Sequence, residues 1–82
     1  MVEHIKAWDH IEALFGELIE EQQLKLLNFG RSLVPTLTME DILQPNDYRE
    51  LENNPYFRYE EGILAGILSS HAAFKALKKE SV

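Results

Sequence analysis

The chain has 82 residues, 45% hydrophobic and 27% charged, with no cysteine and with 14 acidic against 8 basic residues for a formal charge of −6. This is the balance of a globular domain and not of a disordered tail, and the length allows one domain, 1–82, with a thin core that buries only about 60–65% of the unfolded surface. Disulfides, thiolate zinc sites and cysteine nucleophiles are excluded, and the negative charge repels the phosphate backbone on which nucleic-acid affinity depends.

The opening segment, MVEHIKAWDH, carries acidic residues and no continuous apolar run, so it does not read as a signal peptide. From Ile5 the apolar residues recur at Trp8, Ile11, Phe15, Leu18, Leu26, Phe29 and Leu33, a helical period that Ala13, Leu14, Ile19, Leu27 and Val34 widen. Glu12, Glu17, Glu20, Glu21, Gln23 and Lys25 lie largely on the other side, and Glu21 with Lys25 forms a favourable four-apart pair. Pro35 disfavours helix at Val34, so a long helix is expected over about 3–33, or a turn shorter if Gly30 acts as a left-handed cap. Gly16 could divide it, but Phe15, Leu18 and Ile19 keep one register across it. Gln22 occupies the one polar step of the seam and is read as reaching out to solvent; the alternative is a buried residue fixing register against a partner helix.

A connector of about 20 residues, roughly 35–54, follows, with prolines at 35, 45 and 55. Thr38 with Asp41 three residues later is a helix-start signature, and Gln44 before Pro45 stops that short helix. Asn46 or Asp47 can cap a second turn, with Leu37, Ile42, Leu43, Tyr48 and Leu51 as anchors. The length exceeds the usual connection within a bundle and suits a folded lid. Tyr48, Arg49, Tyr56, Phe57, Arg58 and Tyr59 are of the types enriched at binding hot spots. In a thin bundle such rings are also expected to seal one end.

Asn54 as cap and Pro55 at the first helical position start a second long helix, expected over about 55–79. Glu60 and Glu61 lie toward its positive end, and Lys75, Lys78 and Lys79 toward its negative end. Its uncharged run, Gly62 to Phe74, aligns Gly62, Gly66, Ser69, Ala73 and Ala76 at spacings of four and three. Helical glycine costs about 1 kcal/mol relative to alanine, so close approach of another helix is the expected compensation. The run is well short of the roughly 20 residues a bilayer span needs, so no membrane role is expected. Beside it stands a ridge of Phe57, Ile63, Leu64, Ile67, Leu68, Phe74 and Leu77.

No phosphate-binding glycine loop, no zincin or nucleophile-elbow motif and no Glu-x-x-His pair occurs. His4 and His10 are six apart and do not share the one-turn spacing of a helical metal pair; the acidic clusters Glu17, Glu20, Glu21 and Glu50, Glu52 read as a solvated face. Ser70 and His71 are adjacent and therefore point about 100° apart on a helix, which does not make a nucleophile–base pair. His71 is read as a partly buried, hydrogen-bonded structural residue, the one candidate polar site. No catalytic residue, metal or cofactor is assigned.

The reading is all-α: an antiparallel hairpin of two long helices whose connector holds one or two short helices, dimerising into a four-helix bundle. The expected function is a small, acidic, non-enzymatic and cytoplasmic interaction module, adaptor, chaperone-like or antitoxin-like, working as a homodimer and binding another protein. The surface assigned to dimer or partner comprises Trp8, Phe15, Gly62, Gly66, Ala73, Tyr48, Tyr56, Arg58 and Tyr59. The competing expectation is a small-molecule or metal-binding bundle with a site between subunits drawing on His71, Tyr59, Arg58 or Glu61.

Overall fold

A computed structural model describes residues 2–44 and 47–81, with side chains described from residue 6 onward. It is all-helical: α1 is Val2–Leu33, α2 is Met39–Ile42, α3 is Arg49–Glu52 and α4 is Pro55–Ser81. Helices α1 and α4 form the antiparallel hairpin, and α2 and α3 fold back against it at one end. No helix among the described residues is long and apolar enough to cross a membrane.

The helix ends follow local chemistry. Continuous through Gly16, α1 runs to Leu33 and stops before Pro35; Gly30 stays inside the helix, and no described glycine has positive φ, so the left-handed cap does not form. At α2 the capping box is complete: the Asp41 amide donates to Thr38 Oγ1 at 3.3 Å and the Thr38 amide to Asp41 Oδ2 at 2.9 Å. These bonds from Thr38, backbone first, hold the Asp41 carboxyl below its ordinary range. Asn54 Oδ1 accepts from the amides of Tyr56 and Phe57, both at 3.0 Å, and so satisfies two orphan donors at the start of α4. The short helix expected to run through Leu43 and stop at Gln44 ends at Ile42, with Leu43 as its C-cap, while Pro45 and the cap expected at Asn46 lie outside the described residues. Tyr48, rather than Asp47, is the residue before α3, and it makes no side-chain cap bond.

The buried core is Leu26, Leu27, Val34, Leu37, Ile42, Leu51, Phe57 and Leu64, with Ile19, Phe29, Leu33 and Tyr48 packed on it. All of it lies toward the connector end. Leu37, Ile42 and Leu51 drop from the connector into the space between the long helices, while Leu43, expected beside them as an anchor, is 62% exposed. Gly30 is the place of closest approach: a Cβ there would collide with a Leu37 methyl and sit 3.4 Å from the Phe57 ring. Arg31 fixes the turn by donating from Nε to the Leu37 carbonyl at 2.8 Å.

The molecule measures 50 × 18 × 17 Å with a radius of gyration of 15.7 Å. A compact chain of this length has a radius near 12 Å. The excess comes from the half of the hairpin that the connector does not reach.

Candidate functional site

Beyond the connector only two helices face one another, and their seam is a line of rings. Trp8 and Phe74 have centroids 5.4 Å apart, Phe15 and Phe74 5.5 Å, and Phe15 stacks on His71 at 5.1 Å. His71 Nε2 lies 3.1 Å from Glu12 Oε1, which makes it the partly buried, hydrogen-bonded histidine expected from the sequence. Trp8 and Phe15, assigned to a dimer or partner surface, are therefore half-buried within their own chain.

Where the ring seam meets the core, Gln22 is buried and not solvated as expected. Its amide reaches across to α4 and donates to the Glu60 carbonyl at 2.9 Å and to Glu60 Oε2 at 2.7 Å. Lys25 lies 3.3 Å from the same carboxylate, across the helices, instead of pairing with the four-apart Glu21. The Gln22 bond and, after it, Lys25 hold the Glu60 carboxyl below its ordinary range against the opposing effect of burial. A polar side chain does fix register here, but between α1 and α4 of one chain.

The remaining residues assigned to a surface divide into two groups. Arg58 is tied down locally: Nε donates to the Glu52 carbonyl at 2.9 Å and Nη1 to Glu61 Oε1 at 2.7 Å, which clamps the end of α3 to α4. Tyr48 is half-buried against the core, where burial first and then the Asp41 carboxylate raise its phenol. Tyr56 and Tyr59 do not seal the bundle end: they are 72% and 68% exposed, and Phe57 between them fills the core. Gly62, Gly66 and Ala73 are exposed, and a Cβ at either glycine would meet nothing within 4 Å. The small-residue stripe is thus unpartnered within the chain.

One apolar feature was not singled out by the periodicity. With successive residues 100° apart, Ile11, Leu14 and Leu18 form a strip of α1 about 90° round from the line of Trp8, Phe15 and Ile19 that faces α4. On α4, Tyr59, Gly66, Ser70, Ala73 and Leu77 are displaced from the line of Glu60, Leu64 and His71 in the same rotational sense. In an antiparallel pair, equal senses bring both strips to the same side of the hairpin. Ile11 is 39% exposed, Leu14 52%, Leu18 39% and Leu77 53%, and from Tyr59 to Leu77 the α4 strip holds no charge. Ile11, Leu14 and Leu18 belong to the same broad apolar stripe as the core residues, so periodicity could not separate the strip that α4 covers from the strip it leaves bare.

Among the described residues there is no pocket and no group of three or more His, Asp or Glu side chains placed to hold a metal. His10 is exposed, and the side chain of His4 lies outside the described residues. Comparison with known proteins finds no family model, no curated protein and no solved structure that matches this chain.

Proposed function

We propose that this chain is a small non-enzymatic interaction module that works as a homodimer, each hairpin supplying two helices of a four-helix bundle. The observation that carries this reading is the uncharged face made by Ile11, Leu14 and Leu18 with Gly66, Ala73 and Leu77. The accessible surface of the chain is 5940 Å², against about 5,050 Å² for a typical folded monomer of its mass. The excess of about 900 Å² per chain, taken for two chains, falls within the range of a standard-size specific interface. Exposed apolar faces of this kind mark association sites in proteins that fold without aggregating. Tyr59, at the connector end of the α4 strip, and Tyr56 near it supply exposed rings for a further protein partner. Such a bundle serves an adaptor, a chaperone-like or an antitoxin-like role, and the lack of cysteine suits a cytoplasmic setting.

The test is light scattering at micromolar concentration on the wild-type chain and on Gly66→Leu. Wild type is expected at twice the 9.5 kDa chain mass. Gly66→Leu meets no obstacle inside one chain, so it should keep its helicity and move toward the single-chain mass. A folded wild type at the mass of one chain, or a variant with unchanged mass, counts against the reading.

A further inference from the structure

Resting on the homodimer reading, we infer that the second copy docks with its connector at the same end as the first, so that each α1 lies over the partner's α4. The argument is one of height along the hairpin. Trp8 stands opposite Phe74, Glu12 opposite His71, and Gln22 opposite Glu60. Every step along α1 is matched by one step back along α4. On that spacing Leu18 is level with Leu64 and Ala65, Leu14 with Leu68 and Ser69 and Ile11 with His71 and Ala72, which puts Gly66, Ser70 and Ala73 of the exposed α4 strip within about half a turn of them. At the open tip the order inverts, with the small Ala7 within about half a turn of Leu77.

Each bulky exposed residue on this face is therefore within about half a turn of a small exposed residue of the other helix. A two-fold axis parallel to the long axis of the hairpin preserves height and places α1 over the partner's α4. The bulky strip of α1 then lies over the small strip of the partner's α4, with Leu18 near the partner's Gly66, Leu14 near the partner's Ser70, Ile11 near the partner's Ala73 and Leu77 near the partner's Ala7. Facing layers of large and small residues keep the two sheets of helices evenly spaced and leave neither voids nor clashes. A two-fold axis across the hairpin instead places α1 on the partner's α1 and α4 on the partner's α4. Leucine then meets the bulky strip along one seam while glycine and alanine meet along the other, so the two seams demand different helix separations. The occupant of the face is a second copy of this chain because the complement of the bulky α1 strip is the small-residue α4 strip on that same face.

The chain has no cysteine, so single thiols report the arrangement cleanly. Leu18→Cys and Gly66→Cys chains, one carrying a mass tag, are unfolded and refolded together and treated with a short bifunctional thiol crosslinker. Linkage between the two different chains should exceed both same-chain products by several-fold. Dominant linkage of Leu18→Cys to itself, or of Gly66→Cys to itself, overturns the same-end arrangement while leaving the dimer standing. Absence of any linkage from a sample that scatters as a dimer overturns it as well, and a single-chain mass for the wild type removes both the arrangement and the homodimer on which it rests. Circular dichroism checks that each variant is folded; should either fail, Ile11→Cys with Ala73→Cys makes the same comparison.

Discussion

The two ends of this hairpin are built from the same two helices and differ in what fills the space between them. At the connector end, Leu37, Ile42 and Leu51 enter from outside the pair, and Leu26, Phe57 and Leu51 reach zero exposure. At the open end nothing enters among the described residues; Trp8, Phe15 and Phe74 remain half-buried, and Leu14 and Leu77 lie exposed. Two helices alone cannot close a core, because each buries a stripe of at least about 100° and a single neighbour covers little more than the line of contact. The connector supplies the third side at one end. At the other end the described residues supply no third side, which is the physical motive for the homodimer proposed above.

The largest expected effect separates the ends directly. Phe57→Ala should cost about 3–5 kcal/mol, a sizeable part of the stability of so small a domain, and do so at every protein concentration. Leu14→Ala, at the open end, should leave the fold of one chain nearly untouched and lower the urea midpoint only in proportion to association. Urea titrations at two protein concentrations check this, and a Leu14→Ala loss as large and as concentration-independent as that of Phe57→Ala would erase the distinction between the ends.

A smaller contrast uses the glycines. Gly30→Ala gains about 1 kcal/mol of helix propensity but forces a methyl against Leu37 and Phe57 in a closed core, an overpacking cost of about 1–3 kcal/mol, so a net loss is expected. Gly16→Ala, with nothing within 4 Å, should gain up to about 1 kcal/mol. Thermal melts of the pair should shift in opposite directions; shifts of one sign would mean that Gly30 is not the close approach.

The mildest test concerns acid. The Asp41 and Glu60 carboxyls both lie below their ordinary range in the folded chain. A depressed carboxyl stabilises above its unfolded pKa and loses that contribution as pH falls through the folded value, so the loss should develop below about pH 4. Melting temperature followed from neutral pH to acid should fall in that window. Asp41→Asn and Glu60→Gln should each start lower at neutral pH and flatten the fall; a wild-type profile flat to acid would show that neither bond matters to stability.

Much of the secondary structure was legible because its signals are local. Pro35 ends α1, the Thr38 and Asp41 pair starts α2, and Asn54 with Pro55 starts α4, each through bonds or sterics spanning four residues or fewer. His71 was legible as a structural residue because its neighbours on the helix are apolar. Gln22 was not, because whether a polar residue in a seam reaches solvent depends on what stands opposite, and Glu60 is remote in sequence. The same holds for Leu43 and the two tyrosines: all have core-like side chains, and only the path of the connector turned Phe57 inward and left Tyr56, Tyr59 and Leu43 outside.

By itself, then, the sequence determined that the chain is helical, where its long helices start and stop, and that the glycines of α4 lie in a helix with small neighbours on one side. Tertiary structure decided which glycine is buried. Gly16, Gly30, Gly62 and Gly66 share helical surroundings and the same propensity cost, yet only at Gly30 does the connector fold back and bring Leu37 and Phe57 against the backbone. The physical reason is range: a helix is stabilised by bonds four residues apart, while a close approach is set by a segment that returns from elsewhere in the chain.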